Sequence, residues 1–167
     1  MEYIVIDTCS IVNLINSNLA HEVLGDENYT FIVGPIVRLE LSKEARQLPE
    51  IARLENEGLL KYYEKPIDIT LFSLLIYEFG LGDGETECIT IASLEQFKMC
   101  SDDRRAKKAA EKKIGQASCY GSIAALKKAV ENNKLICSVA NAGYVEMKNK
   151  GGFLPSNIDH TYFCKSL

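Results

Sequence analysis

With 167 residues, 47% of them hydrophobic and 25% charged, the chain suits one compact α/β domain and is too short for two. A net charge of −4 excludes a protein that coats nucleic acid through bulk positive charge, while leaving room for a local basic rim around an acidic pocket. There is no signal-peptide pattern and no apolar run of about 18 residues, so a soluble, cytoplasmic protein with no membrane partner is expected.

Residues 3–7, YIVID, form a β-branched apolar run closed by a carboxylate, which predicts a buried strand whose last residue emerges at the sheet edge. Thr8 or Ser10 is placed to cap a helix carrying Ile11, Val12, Leu14 and Ile15. Asn16-Ser17-Asn18 interrupts it, a second short helix runs to Leu24, and residues 25–28 turn. A strand is predicted over 29–33, ended by Gly34, and Pro35 opens a helix over 36–45. A helix over 49–57 stops at Gly58. A strand at 59–63, an apolar helix at 67–79 and the glycine-rich stretch 80–84 come next. The chain continues with a helix to Phe97, a strand at 98–101 and a basic helix at 104–113. A short strand at 117–119, helices at 121–132 and 134–148, and a short helix at 157–164 finish the pattern. Alternating strands and helices predict a three-layer α/β/α fold around a parallel sheet of four to five strands. We expect a single domain over 1–167, with 134–167 as a helical C-terminal extension.

The six cysteines are scattered without a CxxC pair, and Cys88 and Cys100 fall inside apolar periodic segments. Only His21 and His160 exist, neither at ligand spacing from a cysteine, which argues against zinc. Reduced structural thiols are expected.

The acidic residues carry the chemistry. In an open α/β sheet ligands bind beyond the carboxyl ends of the strands, where the strand order reverses. Asp7 ends the first strand and Asp102/Asp103 end the strand at 98–101, so neighbouring strands would bring them together; the alternative for each is an N-cap of the helix that follows. Glu40 shares a helical face with Ile36, Val37 and Leu41, with Glu44 one turn later as the weaker candidate. Glu85 and Glu87 lie about 200° apart around a helix and cannot enter one pocket together. Glu85 is in register with Cys88, Ile89 and Ala92, which favours it; Asp83 reads as a cap. Two carboxylates about 4 Å apart repel by about 4 kcal/mol at an effective dielectric near 20. Several such pairs would consume much of a domain's ~5–15 kcal/mol of stability. Either some protons stay on, or a divalent ion sits among the oxygens, Mg²⁺ or Mn²⁺ rather than zinc. Such an ion serves phosphodiester hydrolysis. Most of the basic helix reads as a solvated face; Arg104 and Arg105, beside the acids, are the candidates for phosphate contact. Arg38, Lys43 and Arg46 flank Glu40 and widen the basic rim. The glycines at 80, 82 and 84 lack a nucleotide-loop pattern.

VIDTCSIVNL, the helical Glu40, GETECITIA and CSDDRRAKKAA, in this order, resemble PIN-domain ribonucleases, which include the VapC-type toxins of prokaryotic toxin–antitoxin pairs. YGSIAALKKAVENNKLI resembles a segment of one PIN subgroup, and the likeness spans residues 3–155. The resemblance implies a parallel sheet, one or two Mg²⁺ or Mn²⁺ ions and endonucleolytic cleavage of RNA. By position it assigns the catalytic acids to Asp7, Glu40, Glu85 and Asp103, with Asp102 assisting at the metal, Ser10 or Thr8 hydrogen-bonding nearby, and Ser10 contacting substrate beside Arg104 and Arg105. It also implies a cognate antitoxin and a homodimer as partners. Cys9 stands where the family often has Ser, and Glu85 where Asp is commoner. A non-catalytic PIN-like module binding RNA or protein is the alternative. A phosphoacceptor receiver domain would place its acidic pair after strand one, and a cysteine or serine hydrolase would need a histidine in a strand-end motif.

Overall fold

Beta-strand one (β1, Glu2–Ile6) runs through the middle of the molecule, and Ile4, Val5 and Ile6 have no exposed surface. That burial on both faces is why its sequence is an unbroken apolar run rather than an alternation. The computed structural model describes residues 1–152 and 154–164, without the side chain of His160. Phe153 and residues 165–167 of the expected extension lie outside the described residues. The other strands are β2 (Tyr29–Val33), β3 (Lys61–Tyr62), β4 (Lys98–Cys100) and β5 (Cys119–Tyr120). They form one five-stranded sheet in the order β3-β2-β1-β4-β5, every neighbouring pair parallel. The third strand is shorter than the five residues expected, because only Lys61 and Tyr62 find ladder partners, Ile32 and Val33.

The helices are α1 (Thr8–Asn16), α2 (Ala20–Leu24), α3 (Pro35–Leu41), α4 (Leu48–Asn56), α5 (Ile69–Phe79), α6 (Asp83–Glu95), α7 (Arg104–Ile114), α8 (Ser122–Glu131) and α9 (Cys137–Asn149). On one side of the sheet α1 packs with α2, α8 and α9; on the other α6 packs with α5 and α7. Helix α3 touches both α1 and α6, so it closes the end of the sheet where the chain leaves β1. Helix α6 is buried nearly all round, from Thr86 to Ala92, which explains a sequence with little amphipathic contrast. The reverse holds for α5. It is mostly apolar, yet only Leu75 is fully buried, while Ile69, Leu74 and Tyr77 stay exposed. Among the described residues no helix is long and apolar enough to cross a membrane.

The expected helix at 157–164 is a single 3₁₀ turn, His160–Phe163. Phe163 is buried against Tyr144 of α9 and Tyr162, and the Tyr144 hydroxyl donates to the Pro155 carbonyl. Cys137 and Cys164 form a disulfide that ties this turn to the start of α9, so these two are not the reduced thiols expected. The pairing is invisible in sequence because the two lie 27 residues apart with no spacing motif. Cys9, Cys88, Cys100 and Cys119 are free. Closing a loop of that length removes denatured-state entropy worth about 3.5 kcal/mol. Reduction, or Cys137→Ser, is expected to lower the urea midpoint accordingly; an unchanged midpoint would show that ring packing alone secures the turn.

Candidate active site

Strand order reverses at β1 and β4, where the chain leaves toward β2 on one side and toward β5 on the other, so a crevice opens beyond their carboxyl ends. Asp7 stands at that point, its amide donating to the Cys100 carbonyl at 3.1 Å. Its carboxylate also caps α1. The Ser10 amide donates to one oxygen at 2.8 Å, and the Ser101 hydroxyl donates to the other at 2.5 Å. The expected cap from Thr8 or Ser10 is therefore corrected: extended backbone at Asp7 swings its own carboxylate over the helix start, where negative charge is favoured. Asp7 is only 3% exposed. Burial pushes its carboxyl up to about 6; the two serine hydrogen bonds pull it down and the Asp102 charge raises it further.

Glu40 is not mid-helix. The helix expected over 36–45 ends at Leu41, because the Ser42 hydroxyl donates back to the Leu39 carbonyl at 2.6 Å in place of a further turn. Glu40 thus sits in the last turn of α3, where the helix dipole opposes a negative charge. The Thr8 hydroxyl donates to it. Gly84 lets it lie close: a Cβ there would fall 2.7 Å from both Glu40 oxygens. Lys43 and Glu44 follow on the turn after α3.

Glu85 and Glu87 part as their helical angle requires. Glu85, in the first turn of α6, is half-buried and faces the crevice. Glu87 has no exposed surface, and the amides of Ile36 and Val37 donate to it at 2.9–3.0 Å. It is the N-terminal cap of α3, supplied from another helix because Gly34 at the cap position has no side chain to offer. Burial raises its carboxyl, and these amides oppose the rise. Asp83 is a first-turn acid of α6 rather than its cap, which is Gly82.

The pair after β4 is committed to the scaffold. Asp102 accepts from the Asn13 amide group at 2.8 Å and from the Ser122 backbone amide, at the start of α8, at 2.9 Å. Asp103 caps α7 through one oxygen, accepting from Ala106 at 2.7 Å, and its other oxygen has no hydrogen bond from a described residue. Asp102→Ala is expected to cost about 1–3 kcal/mol, since it strands a buried amide and uncaps α8. Asp102→Asn, which keeps an acceptor for Ser122, should cost less; equal denaturant midpoints for both variants and the wild type would contradict this role. Asn13 is the residue that sequence reasoning passed over. Its signal was a polar side chain on the buried stripe of α1, between Ile11 and Leu14.

Asp7, Thr8, Cys9, Glu40, Lys43, Glu44, Gly84 and Glu85 line one cleft of about 250 Å³. Three of the four predicted catalytic acids share it, while Asp102 and Asp103 flank it. The charges still converge. The Cys9 thiol, exposed at the cleft mouth yet crowded by neighbouring atoms, is pushed up to about 12 by that crowding and then by Asp7, Glu85, Asp102 and Asp103; the buried Cys88 thiol is raised by burial and by Asp7, Glu87, Glu85 and Glu40. Among the described residues no three His, Cys, Asp or Glu side chains stand close enough together to hold an ion. The acidic side chains that line the cleft, Asp7, Glu40, Glu44 and Glu85, nevertheless offer the carboxylate oxygens that a hard divalent cation takes. Ser10 is fully buried beneath Asp7, below the substrate position expected for it. Arg105 donates to the Phe79 and Gly80 carbonyls at 3.3 and 3.0 Å and so closes the end of α5. Arg104 is exposed and has no such partner among the described residues.

A PIN-domain family model matches residues 3–162. The crystal structure of PAE2754 from Pyrobaculum aerophilum superposes with a TM-score of 0.53 at 15% identity, over 81% of this chain and 91% of that one, a likeness of fold. No curated protein matches the chain. The parallel sheet, its switch point at β1 and β4, and the match over nearly the whole length lead to one conclusion: the chain belongs to the PIN-domain family, whose members are generally nucleases.

Proposed function

We propose that the protein is a metal-dependent endoribonuclease that hydrolyses RNA phosphodiester bonds. The observation that carries this reading is the meeting of Asp7, Glu40 and Glu85 in one cleft at the strand-order switch point, with Asp7 buried and poorly neutralised. Asp7, Glu40 and Glu85 would hold Mg²⁺ or Mn²⁺, with the uncommitted oxygen of Asp103 and, at the edge, Asp102. Bound there, the ion lowers the pKa of a water and offsets charge on the phosphate. The chain's own residues hold the geometry: Ser101 and Ser10 fix Asp7, and Thr8 fixes Glu40. A toxin paired with a separately encoded antitoxin, acting as a homodimer, is the biological setting we propose.

The test is incubation of purified protein with RNA and Mn²⁺, beside Asp7→Asn and Asp103→Asn. Cleavage by the wild type, lost in both variants and in chelator, is the expected result. Equal cleavage by all three would sink the proposal. The scaffold roles of Asp102 and Asp103 favour a second reading, a non-catalytic module that binds RNA or protein through the same rim. It predicts no cleavage with either metal and binding that survives chelation.

A further inference from the structure

We propose that Lys43 receives the RNA backbone phosphate beside the bond to be cut and thereby sets substrate affinity, an inference that rests on the nuclease reading above. A divalent ion would offset the charge at the reacting phosphate, but the phosphate beside it still faces a wall carrying Glu40 and Glu44, which a cation in that wall would counter. Lys43 is the cationic side chain lining it among the described residues. The early end of α3 puts it there: its amide bonds the Glu40 carbonyl at 2.9 Å, which turns it to the same side as Glu40. Its ammonium has no ion pair or hydrogen bond with a described residue, although Glu40 and Glu44 share the wall. The other cations near the acids are occupied or outside. Arg38 lies over the Tyr62 ring at 3.9 Å, Arg105 is held by the two carbonyls at the end of α5, and Arg104 starts α7 beyond the cleft. An ammonium on a flexible stem is a point charge that can follow a phosphate without imposing geometry on it.

The experiment is steady-state cleavage in Mg²⁺, together with equilibrium binding of a labelled single-stranded RNA in Ca²⁺ across a salt series. Lys43→Met is expected to raise KM about tenfold with kcat nearly unchanged, as loss of one charge-assisted contact would. It should also reduce the slope of log K against log salt by about 0.7, the share of one phosphate contact on a single strand. Lys43→Arg should restore both. Lys98→Met, at the far end of β4 and paired with Glu2, should change neither. An unchanged slope and KM in Lys43→Met overturns the inference while the nuclease reading stands. A fall in kcat with KM unchanged also overturns it, by placing Lys43 at the reacting atoms. A wild type that neither binds nor cuts RNA overturns the nuclease reading and this inference together.

Discussion

Asp7→Asn is expected to lower cleavage by about a thousandfold or more and, in the metal-free protein at neutral pH, to raise stability. The second effect follows from the first residue's surroundings. The folded chain holds the Asp7 carboxyl at about 6, against an ordinary 3.8, chiefly through burial. The folded state therefore binds this proton more tightly than the unfolded chain. Below pH 3.8 both states are protonated and the contribution to stability is at its best. As pH rises from about 4 to 6 the unfolded chain releases its proton first, and stability falls. Above about 6 the ionised, buried carboxylate leaves the fold short by roughly 3 kcal/mol, at 1.36 kcal/mol per pH unit. Asparagine removes that charge and keeps the architecture. Its carbonyl still accepts from the Ser10 amide, and its amide can donate to the Ser101 hydroxyl, reversing that bond. The measurement is urea unfolding of both proteins in chelator at pH 7 and at about pH 4. The variant should be more stable at pH 7, and the difference should shrink at the lower pH. A variant less stable at pH 7 would mean that the carboxylate is not a burden to the fold.

Glu87→Ala is expected to cost about 3–5 kcal/mol, the largest single loss of stability anticipated in the chain. Its carboxylate is fully buried and takes the amides of Ile36 and Val37, two of the donors that a helix start leaves without partners. Alanine strands both and opens a cavity against Gly34, where even a Cβ would meet Glu87 atoms at 2.2–2.8 Å. Glu87→Gln keeps an acceptor of the same shape without a buried charge, and should cost less than about 1.5 kcal/mol. Because α3 carries Glu40, the alanine variant should also lose metal-dependent cleavage beyond its loss of folded protein. Thermal unfolding of the three proteins reads the first effect. Alanine and glutamine variants melting together would refute the capping role.

The fold was legible because its devices are local. A β-branched run ending in Asp7, Pro35 opening α3 and Gly58 after α4 each announce themselves within a few residues. Angular position separated Glu85 from Glu87, but the apolar register that favoured Glu85 did not forecast that Glu87 is the fully buried one of the two. What the sequence hid was set by tertiary partners. Nothing near Ser42 forecasts that its hydroxyl ends α3 four residues early, and that early end moves Lys43 and Glu44 into the cleft. The apolar composition of α5 could not reveal that only Leu75 would be fully buried. Asp102 and Asp103 read as metal ligands by order along the chain, whereas their hydrogen bonds to Asn13, Ser122 and Ala106 depend on α1, α8 and α7 meeting at one corner. Arg105 likewise looked free for phosphate until the end of α5 came beside it.

The central claim is that carboxylates at the ends of β1 and β4 hold a hard divalent ion. Anomalous diffraction from crystals soaked in Mn²⁺ tests it most directly. The predicted result is a manganese peak in the cleft within about 2.0–2.2 Å of an Asp7 oxygen, with Glu40, Glu85 or Asp103 completing the oxygen shell and no peak in Asp7→Asn crystals. Well-diffracting crystals with no peak in the cleft, or with manganese bound only elsewhere, would contradict it.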